Sequence, residues 1–214
     1  MSITSILDVL HSAIASKQIV QGVDLSGLNL HQVDLTGLVA HGLLSVGTQL
    51  DYALLTGAEL IEADFTGANL NGSNFESCNL GLATFNGASM REICLQYALF
   101  VNGYCKNANL ERANLTSAEL TGSLFFSSHM PCCVLRMVKA DNTGFNRAFL
   151  KQADLSGGSF IKATFNHADL TGANLRGSNL SQADFRDAKL DGIDWSDAEL
   201  TGALFSQSNS IKIK

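Results

Sequence analysis

The side chains of this chain that could do chemistry are five histidines, five cysteines and twenty carboxylates, and their spacing decides against most of it. His11, His31, His41, His129 and His167 lie far apart in sequence, and none has a second metal-type ligand at a suitable spacing. Cys78, Cys94, Cys105, Cys132 and Cys133 are odd in number and contain no CxxC pair. A disulfide framework needs even, patterned cysteines, so free thiols in a reducing cytoplasm are predicted. Half of the 20 carboxylates, among them Asp24, Asp34, Asp154, Asp169, Asp184 and Asp194, stand one residue before a large apolar side chain. A structural role at a chain corner is enough to explain them. No phosphate-cradling loop, nucleophile elbow or paired-carboxylate motif stands outside this rhythm. The residues predict no catalytic, cofactor or metal site, and hence no enzyme.

The rhythm points to the elements that carry these residues. Every fifth position from Leu25 to Phe205 is a centre: of 37, 33 are Leu, Phe, Met or Trp, and only Ala40, Ser45, Cys105 and Ala140 are not. A period of five fits neither a helix nor a flat strand, so the chain must turn a corner at each unit while pointing one side chain inward. Two residues before the centre, 27 of 37 positions are Ala, Ser, Cys or Gly, small enough to let the wall bend around the large residue. Asp and Asn recur just before the centre and Gly two after it, residue types that suit a turn. A second period hides in the first. Phe65, Phe85, Phe125, Phe145, Phe165, Phe185 and Phe205 are separated by multiples of twenty, which predicts four corners per coil and an aromatic ladder broken only at Cys105.

Units such as Ala63, Asp64, Phe65, Thr66 and Gly67, or Ala168, Asp169, Leu170, Thr171 and Gly172, resemble the pentapeptide-repeat family. The resemblance implies an all-β solenoid, a right-handed quadrilateral parallel β-helix. At twenty residues per coil and a spacing of about 4.8 Å, the repeats make about nine coils and a rod of about 45 Å. The domain reading is a capping helix over 1–21, the repeat β-helix over 22–206 and a tail over 207–214.

Both ends of an open solenoid expose unpaired edges. Ile3, Ile6, Leu7, Leu10, Ala13 and Ile14 have helical spacing, with Ser5 to Asp8 as a capping box, and predict an amphipathic helix over the first coil. A signal peptide is the rival, opposed by the lack of a basic n-region and by Asp8 and His11 within the apolar stretch. No comparable cap follows the last coil, which predicts a C2 homodimer through the C-terminal coil. Residues 126–144 depart most from the pattern, with Phe126, Pro131, Cys132, Val134, Met137, Val138 and Lys139 out of character. A bulge or bent strand near Pro131 is expected, in a deformed coil rather than a looped-out segment.

Charge is unevenly spread. From Gln18 to Met90 there are seven acids, including Asp51, Glu59, Glu62, Asp64 and Glu76, and no Lys or Arg; from Arg91 to Gln182 nine bases face six acids. Some members of the resembled family imitate duplex DNA and bind bacterial type II topoisomerases, DNA gyrase or topoisomerase IV, which confers quinolone resistance. The seven acids give one charge per about 2.5 Å of rod, against one per about 1.7 Å in DNA, although they are divided among four faces. The alternative is a scaffold or regulatory protein, or a secretion-system accessory or effector, that docks through outward apolar residues: Ile61, Leu82, Leu99, Val101 and Ile161 on one face, Leu124 and Phe126 on the next. Cyanobacterial regulatory members of the resembled family also begin with a short helical cap. The expectation is a cytoplasmic, bacterial protein-binding rod whose acidic surface repels nucleic acid, without membrane association.

Overall fold

The computed structural model describes residues 3–207. Parallel bridges join residues twenty apart throughout, from Asp24 with Leu44 to Asp184 with Leu204. Since a bridging residue recurs every five positions, four columns of bridges run along the solenoid, beginning at Asp24, Asn29, Asp34 and Val39. Only one residue per unit pairs in this way; two of the other four form the turn.

The backbone explains the residue types. After each centre the chain makes a tight turn, as where Leu28 donates its N–H to the Leu25 carbonyl at 3.1 Å. The second residue of every turn from Gly22 to Gly202 has positive φ, whether it is Gly27 at +68° or Leu82 at +61°. That is the type II pattern, and it is why glycine gathers there. Four of the five N–H groups in a unit have backbone partners. In one unit Phe145 donates to Thr164, Arg147 to Asn166, Ala148 to Phe145 and Phe149 to Ser128, over 2.7 to 3.0 Å.

The fifth N–H, on the residue after the centre, needs a side chain. Asp64 Oδ1 accepts it from Thr66 at 2.9 Å, and Asn114 Oδ1 from Thr116 at 3.1 Å. Where no Asp or Asn precedes the centre, the acceptor can come from one coil earlier: Asn71 serves Arg91 and Asn86 serves Lys106, both at 2.8 Å. The corner carboxylates and amides are therefore backbone acceptors.

Residues 126–144 do not bulge. His129 bridges Phe149 and Val134 bridges Asp154 without interruption. Pro131 occupies the position after a centre, whose N–H takes no part in the backbone ladder, while its carbonyl accepts from Arg112 at 3.0 Å. Proline is also the favoured first central residue of a type II turn. The expected distortion fails because proline fills the one position of the unit that tolerates it.

The core is a single apolar column of centres and their small partners, nearly all buried from Leu25 to Phe185. Phe rings stack one coil apart, Phe165 on Phe185 at 4.8 Å and Phe145 on Phe165 at 5.1 Å, with planes within 6°. The four departures at the centre are compensated locally. Leu38 accompanies Ala40, Leu43 accompanies Ser45 and Val138 accompanies Ala140, all buried, so the large side chain has moved two residues upstream. At Cys105 the volume comes from another column: the Phe100 ring lies edge-on between Phe85 and Phe125, at 5.5 and 5.8 Å. Gly103 makes this possible, since a Cβ there would sit 2.1 Å from that ring.

Helix α1 (Ile3–Ser16) lies on the first coil, burying Leu10 and Ala13. Ile6, Leu7 and Ile14 pack on the core beside Val23, Leu28 and Val33. The helix already includes Ile3, so Ser5 lies inside its first turn and the expected capping box does not mark the start. It ends with Lys17 at φ +53°. Gln18 then donates to Ala13 and Lys17 to Ile14, a Schellman arrangement. Most of the tail, residues 208–214, lies outside the described residues.

Candidate protein-interaction surface

The bridge columns decide which outward residues can act together. Leu99 is exposed in the Val39 column, and Leu82 donates its N–H to the Val101 carbonyl, placing both beside it. In the next column Thr84, Tyr104, Leu124 and Gly144 follow one another by bridges. Gly144 is the one bridging position held by glycine among those described, and the gap it leaves is covered. A Cβ there would meet Phe126 Cε1 at 2.4 Å and Leu124 Cδ2 at 3.1 Å. Phe126 is thereby held against the wall and half-buried, an apolar plate whose outer side meets solvent.

One coil, from Tyr97 through Leu99 and Val101 to Tyr104, carries exposed or half-exposed apolar side chains around successive corners, with Leu82 above and Leu124 and Phe126 below. Tyr97 and Leu82 hold left-handed positions at φ +57° and +61°. That backbone conformation costs an L-residue roughly 1–2 kcal/mol.

Ile61 and Ile161 do not join this group. They share its column of corner residues, but Gly81 separates Ile61 from Val101, and Thr121 and Asp141 separate Val101 from Ile161. Tyr97 and Tyr104 escaped the sequence reading. The signal that could have found them is an aromatic residue where the repeat uses Gly, Asp or Asn.

The acids of the first coils are spread rather than aligned. Asp51 lies beside the Asn29 column, Glu76 beside the Asp34 column, Asp64 in the Asp24 column, and Glu59 and Glu62 in or beside the Val39 column. Several are already engaged. Asp51 contacts His31, Glu59 approaches His41 at 3.7 Å, and the Asp64 carboxylate is the acceptor for Thr66. Hydrogen bonds from Ser26 and Thr36 hold the Asp24 and Asp34 carboxyls below their ordinary range.

No group of three or more His, Cys, Asp or Glu among the described residues could hold a metal ion. All five cysteines are free. Burial pushes the Cys78 thiol up to about 12 and raises Cys105 and Cys133 as well. No described helix is long and apolar enough to cross a membrane.

The family model of pentapeptide repeats matches residues 46–81, 68–102, 93–130, 141–177 and 178–209, with 8 copies. The chain belongs to the pentapeptide-repeat family. The matched segments pass over 131–140, the stretch around Pro131, although the coil there is regular. Among solved structures, the chain is similar to HetL, a pentapeptide-repeat protein involved in heterocyst differentiation regulation in the cyanobacterium Nostoc sp. strain PCC 7120. Identity is 24%, covering 98% of this chain and 99% of that one, with a TM-score of 0.66. It is also similar to QnrB1, a plasmid-mediated fluoroquinolone resistance protein, at 18% identity, 87% and 91% coverage and a TM-score of 0.46. A third, Rfr23 from the cyanobacterium Cyanothece 51142, has 22% identity over 51% of this chain and 88% of that one, with a TM-score of 0.34. No curated protein matches this chain in sequence. Family and fold together make this pentapeptide-repeat chain a right-handed β-helix with a short N-terminal helix, of a kind that serves structural or interaction roles.

Proposed function

We propose that this pentapeptide-repeat protein is a non-enzymatic interaction module, a quadrilateral rod of about nine coils that binds a protein partner through the apolar belt from Tyr97 to Phe126. The observation that carries this is one coil, Tyr97 to Tyr104, whose exposed or half-exposed apolar side chains continue into Leu82 above and Leu124 and Phe126 below. A contiguous exposed apolar surface of this kind marks a contact site. A regulatory or scaffolding role, in a bacterial cytoplasm, fits such a rod. The test compares capture of a cellular partner by the wild-type protein and by Val101→Lys, in salt from about 0.05 to about 0.5 M. Apolar docking predicts capture that survives salt and is lost in the variant; capture that fails with salt and ignores Val101→Lys contradicts it.

A second reading, imitation of DNA toward gyrase or topoisomerase IV, is supported by the seven acids without a base between Gln18 and Met90. Their division among four columns and their engagement with His31, His41 and backbone N–H groups weaken it. Purified gyrase decides: unchanged supercoiling, no protection from quinolone and no binding eliminate the reading, whereas inhibition relieved by neutralising Asp51, Glu59, Glu62 and Glu76 supports it.

A homodimer through the last coil remains part of the proposal. Leu190, Ile193, Trp195, Leu200 and Phe205 pack on the core but are only partly buried, while α1 covers the opposite end. A solution mass that stays monomeric at high concentration excludes it.

A further inference from the structure

Resting on the protein-binding reading, we propose that the Tyr104–Leu124–Phe126 face is a docking site for an acidic segment carrying apolar anchors, with Lys106 and Arg147 as its charge contacts. The argument begins with what the face lacks. In the column running through Thr84, Tyr104, Leu124, Gly144 and Thr164, with the two residues after each centre, no Asp or Glu occurs from Thr84 to His167. The chain is otherwise acidic, with a formal net charge of −6.

The bases of this face also lack carboxylate partners. Eight Lys and Arg residues elsewhere make ion pairs, mostly with a carboxylate one coil away, as Arg91 does with Glu111 and Lys151 with Asp169. Lys106 and Arg147 make none among the described residues, and both are exposed. Lys162, likewise unpaired, stands at the corner leading into Thr164 of the same column. Two free cations thus lie two coils apart, about 10 Å, on either side of the Phe126 plate, with Tyr104 and Leu124 beside it. The arrangement suits carboxylates about three residues apart on an extended segment, with an apolar side chain between them on the Phe126 and Leu124 surface.

A nucleic acid fits less well. A duplex has one charge per about 1.7 Å and would run beyond the few bases onto the acidic first coils, within reach of their repulsion.

The test uses fluorescence anisotropy with three labelled probes of equal length: a peptide alternating Asp with Leu and Phe, its Lys-for-Asp counterpart, and a single-stranded oligonucleotide. The acidic peptide should bind the wild-type protein and lose about tenfold or more in affinity to the Lys106→Glu, Arg147→Glu double variant, while the other two probes bind more weakly. Both positions are exposed, and an unchanged unfolding midpoint shows that the variant is folded. Equal peptide binding by the two proteins overturns the inference, as does tighter binding of the oligonucleotide. Self-association of the wild type abolished by the double variant also overturns it, since a second copy would then be the occupant. If a cellular partner is lost with Val101→Lys but retained by the double variant, this inference fails and the protein-binding reading stands; if capture ignores both, the broader reading fails as well.

Discussion

At the scale of the residue, interior volume is conserved even where the repeat is broken. Cys105 interrupts the phenylalanine run, yet Phe100 fills the space edge-on, accommodated by Gly103. Cys105→Phe, which would complete the run, should therefore destabilise by about 1–3 kcal/mol through overpacking. Adding Phe100→Leu should recover most of the loss, and denaturant unfolding of the double-mutant cycle reads the coupling. Independent effects would show that Phe100 does not occupy that space. Asp184 provides a second test. The Arg186 guanidinium, donating from Nε at 2.9 Å and from the terminal nitrogen at 2.6 Å, brings the Asp184 carboxyl from an ordinary 3.8 to about 2. A carboxyl depressed on folding stabilises above its unfolded value, and that contribution disappears as pH falls through the folded value. Stability should thus fall between about pH 4 and pH 2, and Asp184→Asn should flatten that limb of the pH profile.

At the scale of the element, the five-residue unit was legible from sequence because each place in it has one physical demand. Centres must be large, their upstream partners small, the second turn residue free to adopt positive φ, and the residue before the centre able to accept a backbone N–H. The sequence did not show that the position after the centre is the one whose N–H is spare in the ladder. For that reason Pro131 suggests a bulge when read along the chain and sits in a regular turn when the hydrogen bonds are known. Pro131→Ala should cost no more than about 1 kcal/mol, through the freedom the unfolded chain regains. Val134→Pro removes the 2.9 Å bond from Val134 to Ala113 and should cost about 3 kcal/mol. Similar values for the two would contradict this account of the unit. The helix shows the same limit: its apolar stripe was evident, whereas Ser5 and Asp8 did not mark its start.

At the scale of the whole molecule, the proposed binding surface is made of departures from the repeat. A period of five identifies which side chains point outward but not which outward side chains share a surface; that depends on columns twenty residues apart and on the corners between them. Hence Ile61 and Ile161, grouped with Val101 by face, are separated along the rod, while Tyr97 and Tyr104 join the belt. The proposed belt predicts that binding and stability can be separated. Leu82→Gly relieves a left-handed leucine at φ +61° and should leave the unfolding midpoint within the equivalent of about 1 kcal/mol of wild type while weakening partner capture. Loss of both together would make Leu82 a structural residue.

The most direct measurement is site-specific photo-crosslinking in cells, with a photoreactive side chain placed at Leu99 in the belt or at Thr116 beside the Asp34 column. A discrete protein adduct from Leu99 and none from Thr116 is the predicted result. Adducts of equal yield from the two positions, or from Thr116 alone, would contradict the claim that this rod works through its apolar belt.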